Sequence, residues 1–446
     1  MKNSPAKEVQ LLTSGNPARR IVLFALPFFA GDIFYTFYTI IDGFVLGRWL
    51  GINGLAAVGA SSSFIWLVYG FCYGLTDGFA VITAQRVGAG NDERIRSSVA
   101  AAVSLCFFVS IILTCLLLPL VRPVLSLMMT PAEIMDDSSV YVLVTFSGIC
   151  FVLFGNMLAG IIRAGGNSFS PMLFYMIGTL CKILLDILFV VVLPWGIRGA
   201  ALSTVLADLI AMLLFLGFLI RRFPRFLPRR QDWHPNLGEY GTHFYLGISM
   251  AFMRSIIEVG NILLQAAING LGALTIAAVS AAQRVRGLSI IPLFSVYRAT
   301  ITYTAQNYGA GKIDRINRGL FQVCLINLGL GLFMAILNHL TGGPIVSLFL
   351  KDSPEAAALA TQYILISGYT VFILGIMLAF RSTMQGLGMK SASMLCGTME
   401  TAMSVLAAFV LIPRIGFTGA CLASPLAWVA SGIPLYIAFG IWKGRN

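Results

Sequence analysis

Apolar stretches long enough to cross the ~30 Å hydrocarbon core of a bilayer, at ~20 residues each, follow one another along this chain with little between them. They cover 21–47, 55–84, 97–121, 138–163, 171–194, 199–220, 243–268, 275–304, 318–340, 359–381, 390–412 and 418–442. Inside hydrocarbon every backbone polar group must be satisfied within its own segment, so stretches of this length read as helices, spans 1 to 12. Composition agrees: 58% hydrophobic residues, 11% charged residues and a mean hydropathy of +0.87 lie far outside the soluble range. The sequence predicts an all-α membrane protein. A polar segment, MKNSPAKEVQLLTSGNPARR, precedes span 1 and no small-residue cleavage site follows it, so that span reads as retained rather than as a cleavable leader.

The net charge of +12 is mostly an orientation signal. With the N-terminus placed in the cytoplasm, inner segments carry 20 Lys and Arg against five outside (Arg48, Arg122, Arg198, Lys351 and Arg414), a bias that puts both termini in the cytoplasm and the protein in the cytoplasmic membrane. Cations spread over seven inner segments do not form a nucleic-acid surface. The eight cysteines stand singly, without CxxC spacing, and indicate neither a disulfide framework nor a metal site.

The chain also repeats itself. LAAVGA at 55–60 recurs as IAAVSA at 276–281, and TAQRVGAGN at 83–91 as TAQNYGAGK at 304–312; RAGGNSFSPM at 163–172 aligns with QGLGMKSASM at 385–394, and GIRGAALSTVLA at 196–207 with GFTGACLASPLA at 416–427. Each offset lies near 221 residues, which makes two halves of six spans. Six is even, so both halves start on the same side and the repeat is parallel, with a central cleft expected between two lobes. The lobes read as 1–220 and 241–446, joined by a Pro- and Arg-rich cytoplasmic linker at 221–240 that lets one rock against the other. Gly70, Gly74 and Gly78, at four-residue spacing in span 2, predict close helix packing.

These stretches, with YTIIDGFVLGRWLGINGLAAVG in spans 1 and 2, IIRAGGNSFSPM between spans 4 and 5, LLQAAINGLGALTIAAVSAAQRV in spans 7 and 8 and AQNYGAGKIDRI after span 8, resemble the multidrug and toxic compound extrusion (MATE) family over essentially the whole chain. The resemblance implies a monomeric secondary antiporter that exports small organic, often cationic, compounds while protons or sodium ions enter, with no other cofactor. It carries the family's ion site onto Asp42 of span 1, Asp186 of span 5, Thr204 of span 6 and, as a weaker candidate, Asn156, with Pro27 as the point where span 1 bends. One departure stands out: where family members with LNxxLD in span 5 have Asn one turn before the acid, this chain has Lys182.

A charge at the centre of a membrane helix costs roughly 2.5–3.5 kcal/mol on insertion scales, so such residues face a bundle interior with a partner. Lys182 and Asp186, at i and i+4, share a helix face, and Asp32 and Asp208 fall at similar depth. The reading that follows is that Lys182 occupies the place of a bound sodium ion, so that coupling runs on protons; the alternative is a permanent ion pair fastening the helices. Glu258 and Arg254 in span 7 and Glu400 in span 11 are candidates for a substrate cavity, as are the aromatics Phe34, Tyr35 and Tyr38, which could stack flat cations. Arg284 reads as structural, and Arg286 is assigned no role.

No HExxH, GxSxG or GxxxxGK[ST] motif occurs, which argues against an enzyme and against an ATP-driven pump. Two rivals share the fold: a flippase or exporter of an anionic or lipid-linked cargo, which would use Lys182, Arg254 and Arg298 as phosphate-binding cations, and a receptor or scaffold that has lost transport.

Overall fold

The computed structural model describes residues 11–233, 237–351 and 353–445, almost all of them helical. In chain order the helices are α1 (Pro17–Trp49), α2 (Gly51–Gly88), α3 (Asp92–Leu127), α4 (Ala132–Ser147), α5 (Ile149–Ala164), α6 (Phe169–Asp186) and α7 (Gly196–Arg222). After the linker come α8 (Leu237–Asn269), α9 (Ala273–Gly309), α10 (Ile313–Phe349), α11 (Pro354–Gly386), α12 (Lys390–Leu406), the single turn α13 (Ile412–Ile415) and α14 (Phe417–Arg445). Helices α4 and α5, bent by 46° at Gly148, together form span 4. Ten helices and this bent pair are apolar enough to span a membrane; α9 is as long but carries Arg284, Arg286 and Arg298. With α9 the spans number twelve, six in each half.

Most helices outrun the apolar stretches. α2 has 38 residues, about 57 Å at ~1.5 Å per residue, against ~30 Å of hydrocarbon. The excess explains the repeated motif: in TAQRVGAGN the helix continues to Gly88, Gly90 turns the chain at φ +70°, and the Asn91 side chain accepts a hydrogen bond from the Arg94 N–H at 3.0 Å to cap α3. Gly311, at φ +68°, makes the same turn in TAQNYGAGK. A motif that looks like a signature is thus first a helix stop, turn and start.

The chain divides into two compact units, and these are not contiguous lobes. One runs from Ala30 to Ala251; the other holds Leu12–Phe29 and the chain from Phe252 onward. Both divisions fall inside helices, α1 and α8, 222 residues apart. Packing explains the exchange: Ile21, Phe24 and Phe28 of α1 share a core with Leu293, Tyr297 and Leu374, whereas Leu46 of the same helix packs with Ala57, Ile134 and Ala201. The first half of α8 lies against α2, where a Cβ on Gly74 would come within 2.6 Å of Ala251 Cα and one on Gly78 within 2.6 Å of Gly247 Cα. Gly70, the third glycine of the series, has nothing within 4 Å and takes no part.

The linker is tied down. Short turns at Pro224–Phe226 and Arg230–Trp233 bury Phe226, and the buried carboxylate of Asp232 accepts from Arg96 Nε at 3.0 Å and from the Arg229 N–H at 2.7 Å. Over its described residues, then, the linker belongs to the unit that contains Arg96; residues 234–236 of it lie outside the described chain.

Candidate ion-coupling site

Lys182 lies one turn before the end of α6, and Asp186 is its last residue. Immediately afterwards the helix widens into a π-helical turn, Ile187–Val192, a form that leaves some carbonyls without their usual partner and is enriched at functional sites. The other half of the chain has its own π turn, Ala407–Leu411, at the equivalent place after α12. The widened turn leads into α7, whose second turn carries Ser203 and Thr204.

These elements close a buried cluster around one ammonium. Lys182 Nζ lies 2.7 Å from Asp186 Oδ2 and makes a short contact with Asp42 Oδ1 from α1. Its third side faces the ring of Tyr38, 5.6 Å away, a cation-π contact. Ser203 Oγ donates to Asp186 Oδ1. Asp186 is 1% exposed and Lys182 7%, whereas the Asp42 side chain is 20% exposed, so Asp42 is the most exposed member of the cluster. One cation against two carboxylates leaves a net charge of −1 when both acids are ionised.

Thr204 makes no hydrogen bond to Asp186. Its hydroxyl donates to the Ala200 carbonyl at 3.1 Å, while its neighbour Ser203, about 100° round the helix, reaches the acid. Nor does Asn156 join the cluster. Its amide donates to Thr76 Oγ1 at 2.5 Å and its oxygen accepts from Tyr175 of α6 at 3.2 Å. The Asp32 carbonyl accepts from Thr36. Asp208 is half-buried, forms no hydrogen bond or ion pair among the described residues, and stands within electrostatic reach of Lys182, Tyr35, Tyr69, Tyr73 and Tyr175. Tyr35 is exposed and Phe34 half-buried on the same helix, while Tyr38 is buried against Lys182. Pro27 lies inside α1, two residues before the helix passes from one unit to the other.

The second unit has its own charged centre. Glu400 Oε1 pairs with Arg381 Nη1 at 3.1 Å and accepts from Ser431 at 3.4 Å; the same guanidinium touches Met253 Sδ at 3.2 Å. Arg381 stands at the end of the apolar stretch 359–381, yet α11 continues to Gly386 and the side chain is buried. Glu258 accepts from Asn261 at 3.3 Å, and both it and Arg254 are half-buried.

A family model described as MatE matches this chain twice, over residues 27–188 and 249–410, one copy on each half of the repeat. The chain belongs to the MATE family. The family is one of transporters rather than enzymes, and membership makes this a multi-pass membrane protein. Among its relatives are the probable multidrug resistance protein YpnP of Bacillus subtilis, 27% identical over 79% of this chain and 78% of the relative, and the FAD transporter of Shewanella oneidensis, 23% identical over 94% of each. An outward-facing multidrug resistance MATE transporter superposes with a TM-score of 0.88 at 21% identity, covering 100% of this chain and 99% of the other, which establishes the fold of twelve spans in two lobes.

Proposed function

We propose that this MATE protein is a secondary active antiporter that exports small organic compounds, organic cations among them, in exchange for protons, by alternating access of its two lobes. The observation that carries the reading is the Lys182 ammonium held between Asp42 and Asp186. A sodium ion entering there would have to displace a covalently tethered cation that already satisfies both acids. A proton would not. The cluster carries one negative charge in excess, and a single proton cancels it.

Asp42 is the acid through which the proton enters, since its side chain is the more exposed. Neutral, it no longer holds Lys182, which stays with Asp186 on its own helix. Helix α1 is then freed from α6, and because its first half belongs to the other unit, movement at Asp42 is felt beyond the cluster. Asp208, a carboxylate with no bonding partner among the described residues, is the acid that passes protons on or receives the positive group of a cargo. This reading places both termini in the cytoplasm.

Purified protein in proteoliposomes, loaded with ethidium as a probe cation, tests the proposal. An imposed proton gradient in sodium-free buffer drives ethidium movement, and an imposed sodium gradient at equal pH does not. Sodium-driven movement would overturn the coupling reading and leave Lys182 a helix fastener. An anionic cargo, the chemistry of the FAD transporter among the relatives, is the second reading, and Arg286 is the residue that favours it.

A further inference from the structure

Among the described residues, Arg286 is a cation without an acid. It lies on α9 about 20 Å from Ala273, counting ~1.5 Å per residue, and so within the depth of the bilayer. Its Nη1 donates to Tyr363 Oη and to Ser424 Oγ, both at 3.0 Å, and its guanidinium carbon is 5.7 Å from the ring centroid of Trp428. All three neighbours are neutral. Among the described residues no carboxylate comes within ion-pair distance of Arg286, and its Nε and Nη2 make no hydrogen bond and stay accessible. An isolated aspartate can neutralise itself by taking up a proton; arginine has no such escape. The buried cations Arg96, Lys182 and Arg381 all have acids.

The internal repeat says what kind of place this is. Ser424 and Trp428 correspond to Thr204 and Asp208 at the offset of 220 that aligns GIRGAALSTVLA with GFTGACLASPLA, and Tyr363 corresponds to Tyr141 at the offset of 222 that relates the two family matches. In the first unit Tyr141 and Thr204 border the Lys182 cluster. The frame is therefore repeated, but its acids are not. By the same offsets Asp42 becomes Leu264, Asp186 becomes Leu406 and Asp208 becomes Trp428. Where one half holds a lysine among carboxylates, the other holds an arginine over an indole.

We infer that Arg286, fixed by Tyr363, Ser424 and Trp428, binds the acidic group of an organic anion carried as cargo, a carboxylate or a phosphate monoester. The inference rests on the transporter reading. The open Nε and Nη2 share the edge of the guanidinium that meets two oxygens of one oxyanion side by side. Nη1 is occupied by the two hydroxyls and the ring flanks the plane, so the fork is aimed before the anion arrives. Charge closes the account: the anion supplies the countercharge that the described residues do not.

The test is equilibrium binding to the full chain in nanodiscs of neutral lipid, with fluorescein as the carboxylate probe, 4-methylumbelliferyl phosphate as the phosphate probe and ethidium as the comparison cation. Arg286→Gln weakens binding of at least one anion tenfold or more, changes ethidium affinity less than twofold and does not lower the unfolding temperature, because it removes an uncompensated charge. Arg286→Lys keeps the charge but not the fork and falls between. Whichever anion responds identifies the group recognised. Anion affinity unchanged in Arg286→Gln would overturn the inference, as would an equal loss of all three ligands together with a lower unfolding temperature, which would make Arg286 a packing residue. Failure of the transporter reading shows separately, as ethidium that no gradient moves in proteoliposomes.

Discussion

At the scale of single residues, a buried ion pair is far more sensitive to losing one partner than to losing both. Breaking such a pair leaves an uncompensated charge and costs about 3–5 kcal/mol, whereas removing both members can be nearly neutral. Lys182→Ala leaves Asp42 and Asp186 facing each other and is expected to lower both the unfolding temperature and proton-driven transport, the latter tenfold or more. Lys182→Asn restores the amide found at this place in family members and is expected to make transport respond to sodium. Arg381→Met is expected to destabilise more than the double variant Arg381→Met with Glu400→Gln, a comparison read by thermal unfolding in detergent. Ser203→Ala is expected to impair transport and Thr204→Ala to leave it within about twofold, since only Ser203 reaches Asp186. The Lys182–Asp186 contact was legible from its four-residue spacing, and Asp42 from the resemblance. Ser203 was not legible: two adjacent hydroxyls point about 100° apart, and a nearly all-apolar helix gives no signal of its rotation. Arg381 was not legible as a partner of Glu400, because hydropathy ends at residue 381 while α11 runs on to Gly386.

At the scale of elements, helix ends and helix crossings carry the information that twelve apolar stretches lack. Membrane helices gain little from burying hydrocarbon against hydrocarbon, so close approach of small residues does much of the packing. Gly78→Leu or Gly247→Leu therefore forces α2 and α8 apart and is expected to lower the unfolding temperature and abolish transport, whereas Gly70→Leu, with nothing within 4 Å of its Cβ position, is expected to leave the unfolding temperature unchanged. Spacing alone made the three glycines equivalent; only the packed α8 tells them apart. The π turns after α6 and α12 were likewise invisible in the sequence, because their residues, ILFVVV and AAFVL, are ordinary apolar filler. Span count and the parallel repeat, by contrast, were readable, since each depends on length and recurrence rather than on rotation about a helix axis.

At the scale of the whole molecule, the sequence suggests two consecutive lobes joined by a cytoplasmic linker, and packing gives two units that exchange the leading halves of α1 and α8. Recurrence in sequence marks gene-length halves, whereas compactness follows side-chain contacts, and nothing in hydropathy shows which unit the start of a helix will join. The Asp42 cluster thereby gains reach, because it sits on the part of α1 that belongs to one unit while the same helix begins in the other. The central claim is that a tethered ammonium stands where family members would hold sodium, so that only protons exchange for cargo. Its most direct test is proton movement itself. Proteoliposomes holding this protein and an internal pH indicator receive external ethidium in sodium-free buffer with no imposed gradient. The account predicts that ethidium entry drives protons out and raises the internal pH, and that Asp42→Asn abolishes the change. An internal pH that stays flat while ethidium enters, or an exchange that appears only once sodium is added, would contradict it.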